Sequence, residues 1–284
     1  MTSLMNINIF KKNVFGSLKH IVLILFVIIA VIPIIWIILT SLKNTAEVVV
    51  WPPIFFPKHP SFAAYLKIWD YAPFGTFLKN SVIVSLVAGI FTIICSSMAA
   101  YGLARLNLRG TKFILSAFLI SQMFPGASII IPVAQMVVKM GLYNTLTGLI
   151  LIYTAFLIPF STWMLYGYFR TIPKELEEAA FIDGCSRRQS LIKVILPLSI
   201  PGLGATFIFC FLGAWNEYLF ALVFANDYTV RTLPVGLGTL IGQFNTSWER
   251  LSAAAIIFSI PPLILFLLLE RSLVSGLTAG AMKE

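Results

Sequence analysis

Glu217 stands inside a long apolar stretch, directly after Trp215 and Asn216. A carboxylate in hydrocarbon costs several kcal/mol unless it is paired or hydrated, so Glu217 must face a bundle interior or an aqueous path. It can line such a path together with Asn216 and Trp215, or it can fix the bundle through a hydrogen-bonded partner. Gln122, in another apolar stretch, is a further polar side chain placed to line a cavity, as is Gln135. A second concentration of chemistry lies between Thr171 and Pro197. That segment holds four of the eleven acidic residues and four of the twenty basic ones, with Arg170 just before it.

The residue types that usually carry catalysis do not gather anywhere. His20 and His59 are isolated, and Cys95, Cys185 and Cys210 have no metal-binding or disulfide spacing. No G-x-x-x-x-G-K-[ST] phosphate loop occurs in the chain. If the chain does driven work, energy must come from another polypeptide or an ion gradient. An embedded enzyme would need His, Asp or Cys clustered at one depth, so the reading is of a protein that is not an enzyme and binds no cofactor itself.

The elements that position these residues follow from composition. Hydrophobic residues make up 59% of the 284 and charged residues 11%, against about 25% charged in an ordinary soluble domain. Such a chain cannot cover a water-facing surface, and lipid is its main solvent. Six stretches approach the roughly 20 residues that a membrane-crossing helix needs: Ile21 to Leu39, Asn80 to Ala104, Phe113 to Val138, Met140 to Phe169, Val194 to Asn226 and Leu251 to Leu269. The first follows Lys11, Lys12 and Lys19 like a secretory signal. It is too long for one and lacks a small-residue cleavage site, so it reads as a retained span.

The net charge of +9 could point to nucleic acid, but that needs a basic stripe on a soluble face. Here the basic residues sit in gaps between apolar runs. With the N-terminus in the cytoplasm, thirteen Lys and Arg fall inside and seven outside. The positive-inside rule therefore predicts both termini in the cytoplasm. Prolines 33, 125, 132, 159, 201, 261 and 262 within the spans predict bent, packed helices around a cavity. Ala88, Thr92, Ser96, Ala100 and Ala104, four apart, predict a face where another helix approaches closely.

The segment 171–197 reads as a helix–turn–helix on the cytoplasmic side. Pro173 suits a first helical turn, and Glu175, Glu177 and Glu178 suit its positive end. Gly184 allows the chain to turn, and Ser186 can cap a second helix. Leu176, Ala179 and Ala180 form an apolar strip flanked by charge, fit for docking to a soluble partner. A plain solvated loop is the alternative, though loops this long and helix-prone are uncommon without a task.

Glu178-Ala179-Ala180, then Gly184, then Leu196-Pro197 resembles the EAA loop of ABC importer permeases. That pattern runs E-A-A, three residues, G, nine residues, I, one residue, L-P; Val194 stands here for the isoleucine. Trp51-Pro52-Pro53 with Tyr65, Trp215-Asn216-Glu217-Tyr218, and Gly276 to Lys283 are similar to the smaller permease of maltose-type carbohydrate importers. The resemblance implies an all-α polytopic membrane protein: six transmembrane helices, a type I ABC importer permease core and a cytoplasmic coupling helix. Residues 1–74 would hold the first span and an external loop, 75–270 the five-span core, and 271–284 a cytoplasmic tail.

It further implies that Glu177, Glu178, Ala179, Ala180, Asp183, Gly184 and Arg187 couple to a separate ATPase. Gly276, Thr278, Gly280 and Lys283 would reach toward the interface of that ATPase dimer. The implied partners are a homologous second permease, two ATP-binding subunits that use ATP and Mg, and an extracellular or periplasmic binding protein that delivers a small sugar. Nucleic acid is not among them. Glycerol phosphate or another polyol derivative is the alternative cargo. An ion-coupled secondary transporter is the rival mechanism, but it would be expected to show an internal repeat and more intramembrane charge.

Overall fold

The computed structural model describes residues 2–106, 108–242 and 246–281, with side chains from 19 to 270 within those ranges. Among the described residues every regular element is helical. The order begins α1 (Thr2–Ser41), the short α2 (Thr45–Val48), α3 (Ala63–Tyr71) and α4 (Phe74–Arg105). Next come α5 (Thr111–Ser121), α6 (Gly126–Lys139), α7 (Leu146–Phe169) and α8 (Glu175–Ile182). A short α9 (Arg187–Ser190), a π turn (Leu191–Ile195) and α10 (Leu196–Leu198) lead into α11 (Ile200–Trp215). The chain then forms α12 (Leu219–Phe224), α13 (Leu233–Gly238) and α14 (Trp248–Ala281).

Four segments are long and apolar enough to cross a membrane as single helices: Lys19–Ser41, Phe74–Arg105, Leu146–Phe169 and Trp248–Glu270. Two of the expected spans are not single helices. The third is broken between α5 and α6 by a bend of 98°. Pro125 is the cause: its backbone is extended, with ψ 128°, at the N-cap of α6. The expected fifth span, Val194 to Asn226, is interrupted twice. Arg187–Leu198 and α11 meet at 81° around Ser199, where Pro197 and Pro201 each remove a backbone donor. A second gap, Asn216 to Tyr218, separates α11 from α12. Counting each bent pair as one span gives six.

The chain divides into two compact units. The first comprises residues up to Tyr71 together with Leu240–Ile257. Within it the span Lys19–Ser41 of α1 is strongly apolar, and none of its most apolar stretch is buried. Its C-terminal end is packed: Ser41 Oγ and Tyr65 Oη lie 2.8 Å apart, and just beyond the helix Lys43 Nζ donates to Ile54 O at 2.5 Å. Burial lowers the Lys43 pKa, and Glu47 opposes the shift.

The second unit holds Ala72–Thr239 and the chain from Phe258 onward. Its centre is α4 laid against α7 and α11. The predicted small-residue face is the packing face: Ala88, Thr92, Ser96 and Ala100 are fully buried. Ser96 Oγ donates to Ile158 O of α7 at 3.3 Å, and Ala100 clusters with Leu165 and Phe169. Close approach is also needed between α7 and α11, where a Cβ on Gly202 would sit 2.5 Å from the Tyr168 ring. At the other end of α4, Asn80 Nδ2 donates to the Thr229 and Arg231 carbonyls, both at 2.9 Å. These contacts pin the loop after α12.

Candidate functional site

The helix–turn–helix forms as the residue types demand. Lys174 is the N-cap of α8, and Glu175, Glu177 and Glu178 occupy its first turn, where negative charge complements the helix dipole. Gly184 then takes a left-handed φ of 84°. Cys185 N–H donates to Ala180 O at 2.9 Å, and Gly184 N–H to Phe181 O at 3.0 Å. That pair of bonds is a Schellman termination, which favours glycine at this position. Two residues on, Ser186 opens α9 with a capping box: its Oγ accepts from Gln189 N–H, and Gln189 Oε1 accepts from Ser186 N–H.

Which side of α8 faces the rest of the chain departs from expectation. Glu177 and Ala180 turn inward and are buried. Glu177 Oε2 lies 3.1 Å from Arg105 Nε, both side chains being almost wholly covered. Tyr101 Oη donates to the other oxygen of Glu177 and lies 3.4 Å from the Arg187 carbonyl. Arg105 Nη2 also donates to Ile172 O at 2.9 Å. One arginine and one tyrosine at the C-terminal end of α4 thus hold the connector before α8, α8 itself and the start of α9. Breaking a buried ion pair by removing one partner typically costs about 3–5 kcal/mol.

The opposite side of α8 is open. Ile182 is 86% exposed, Leu176 45% and Phe181 37%, and Glu178, Ala179, Asp183 and Arg187 are exposed with them. The exposed apolar residues on this side are therefore Leu176, Ala179 and Ile182, while Ala180, expected on the same strip, is buried. The helical period decides this, since Ala180 is three residues from Glu177 and shares its side.

Glu217 has three donors. Tyr153 Oη donates to its Oε2 at 2.7 Å. Phe220 N–H reaches Oε1 at 2.9 Å, and Ala221 N–H reaches Oε2 at 3.1 Å. The carboxylate thus answers the free N–H groups that open α12 after the break in the chain. Trp215 is fully buried. It stacks on Phe211 at 5.5 Å and lies 5.2 Å from Phe258, as part of the core. Asn216 is exposed and bonds back to Leu212 O at 2.9 Å. Gln122 sits at the α5–α6 break and donates to Phe156 O at 3.1 Å; the Phe156 ring packs on Phe220 at 4.9 Å. Gln122 and Glu217 are thereby joined through α7 and α12, while Trp215 and Asn216 point elsewhere.

Residues 92–278 match the family model described as binding-protein-dependent transport system inner membrane component. The chain belongs to this family. It is a multi-pass inner-membrane transport permease and not an enzyme. It is 42% identical over 251 residues to the sulfoquinovosyl glycerol transport system permease protein of Agrobacterium fabrum, covering 88% of each chain. It is 37% identical to the trehalose/maltose transport system permease protein of Thermococcus litoralis, over 94% of this chain and 98% of that one. A diacetylchitobiose uptake system permease protein of Streptomyces coelicolor is 35% identical, over 96% and 99%. In fold, the chain resembles one from the crystal structure of a bacterial ABC transporter involved in the import of the acidic polysaccharide alginate. The TM-score is 0.78, over 91% of this chain and 96% of that one, at 24% identity.

Sequence reasoning missed three residues of the permease that matter in this geometry: Tyr101, Arg105 and Tyr153. Arg105 is one of the thirteen cations counted on the cytoplasmic side, and Tyr101 and Arg105 are four apart and so share one helical face at the end of a span. That pairing was readable. Tyr153 carried no such signal among the many aromatics. The backbone of α14 runs through Gly276, Thr278 and Gly280, but the surroundings of these three residues, and all of Lys283, lie outside what the structure describes.

Proposed function

We propose that this permease is the smaller of two homologous membrane subunits in an ATP-driven importer of carbohydrate, and that α8 is its coupling helix. The cargo class is supported by the three relatives above, named for trehalose or maltose, diacetylchitobiose and sulfoquinovosyl glycerol. The partners are a second permease, a dimer of ATP-binding subunits that uses ATP and Mg, and an external binding protein. Both termini face the cytoplasm, a reading supported by the thirteen-to-seven distribution of Lys and Arg. The loops from Lys43 to Lys79 and from Ala225 to Trp248 are then the surface offered to the binding protein. Gly276, Thr278, Gly280 and Lys283 lie at the end that would reach the ATPase dimer.

The observation that carries coupling is that α8 is rigidly held on one side and open on the other. Leu176, Ala179 and Ile182 form an exposed apolar face with Glu178, Asp183 and Arg187 around it, suited to a groove in a soluble subunit. Glu177 locks the other side to Tyr101 and Arg105 of α4, and Gly184 sets the turn. A displacement of α8 by its partner is passed through this buried pair to α4, and from α4 to α7 and α11, which pack on it.

Proteoliposomes holding this chain, its second permease and the ATPase test the reading. With labelled sugar-loaded binding protein outside and ATP enclosed, uptake should require both ATP and the binding protein and should ignore an ionophore. Uptake that survives without ATP and collapses with the ionophore would contradict it.

A further inference from the structure

A cavity on the α8 side of the bundle shares Arg105 and Ile172 with the contacts described above, while the rest of its lining takes no part in them. It has a volume of about 770 Å³ and lies where α4 and α7 end and where α5 and α8 begin. Four cationic side chains line it, Arg105, Lys112, Arg170 and Lys174, against one carboxylate, Glu175. Arg105 is already neutralised by Glu177. Lys112, Arg170 and Lys174 are exposed and have no ion-pair partner among the described residues; the Arg170 guanidinium rests 5.7 Å from the Tyr166 ring. Part of this charge answers the C-terminal ends of α4 and α7, roughly half a charge each, and Glu175 answers another. About one positive charge is left uncompensated on that reckoning.

The backbone adds to it. Gly110, with φ 93°, is the N-cap of α5 and brings no side-chain oxygen to the first turn; Thr111 N–H is met by Leu108 O at 3.4 Å, so the N–H groups of Lys112 and Phe113 open this eleven-residue helix without a side-chain cap. Anions with several acceptor oxygens suit a helix start flanked by Arg and Lys. The surround is partly apolar. Leu108, on the cavity wall, is 45% exposed, and Phe113, beside Lys112, is 78% exposed.

We infer that this cavity binds a phosphate group, and that Lys112 and Arg170 are its principal ligands. The phosphate belongs to an anionic lipid headgroup, with acyl chains over Leu108 and Phe113, or to a soluble phosphate-bearing ion. Neither source depends on the coupling role of α8, and binding is read without transport.

The test uses the full chain in nanodiscs of zwitterionic lipid doped with phosphatidylglycerol, with native mass spectrometry counting retained lipids. Inorganic phosphate is titrated in parallel and followed by phosphorus NMR. Wild type should retain phosphatidylglycerol, and the Lys112→Gln/Arg170→Gln double variant should bind it at least about tenfold more weakly, since each surface cation contributes roughly a factor of five. Lys112→Arg should restore most of the affinity to a Lys112→Gln single variant. Saturable phosphate binding lost in the double variant assigns the site to a soluble ion and equally supports it. Retention of both probes by the double variant, or binding of neither by wild type, would overturn the proposal. Unchanged helical circular dichroism separates loss of binding from loss of fold.

Discussion

Glu177 and Glu217 are both carboxylates within an apolar chain, and each is satisfied by specific donors. Their consequences differ. Removing the Glu177 charge by Glu177→Gln leaves Arg105 buried without a counter-charge, an arrangement that destabilises by about 3–5 kcal/mol. Uptake in the reconstituted system should fall at least tenfold while ATP hydrolysis persists, because α8 can still be seated but no longer pulls on α4. Equal loss of both activities would point to misfolding instead, and the double variant Glu177→Gln/Arg105→Met, which removes the pair together, should recover assembly. Glu217→Ala takes three hydrogen bonds from the start of α12, each bond to a charged group contributing roughly 1.5–3 kcal/mol. Its expected signature is lower resistance to detergent unfolding, with Glu217→Gln, which keeps an acceptor, intermediate. The sequence located Glu217 as exceptional because charge in an apolar run is visible in one dimension. Its partners were not visible, since Tyr153 lies 64 positions away and is one aromatic among many.

At the scale of elements, the turn at Gly184 and the Ser186 cap were legible in the sequence, because glycine turns and capping are local chemistry; Pro173, expected in the first turn, instead precedes the Lys174 N-cap of α8. The side of α8 that turns inward was not legible. It depends on where Tyr101 and Arg105 arrive, 76 and 72 residues before Glu177. The apolar runs likewise gave the spans but not their breaks: hydropathy is blind to direction, and only Pro125, Pro197 and Pro201 marked the places where helices bend. Gly184 offers the cleanest test of the hinge. A Cβ there meets nothing within 4 Å, so the cost of Gly184→Val is backbone strain alone, of the order of 1–3 kcal/mol for a β-branched residue in the left-handed region. The variant should insert normally in the membrane, measured by its accumulation there, and lose most uptake. Gly202→Leu, by contrast, should prevent α11 from packing on Tyr168 and lower accumulation itself.

For the whole molecule, the composition and the distribution of charge already required a polytopic membrane protein, and the family match places it in binding-protein-dependent transport. The mechanical account adds a route: an exposed face on α8, a buried ion pair to α4, and the bundle of α4, α7 and α11 behind it. The route needs no chemistry from this chain, only stiffness and a partner. Site-directed crosslinking in native membranes tests it most directly, with single cysteines at 176, 179, 180 and 182 in a background lacking Cys95, Cys185 and Cys210, and a cysteine scan along the groove of the ATPase subunit. The account predicts crosslinks from Leu176→Cys, Ala179→Cys and Ile182→Cys that change with ATP, and none from Ala180→Cys. Crosslinking from Ala180→Cys with the other three silent would contradict it.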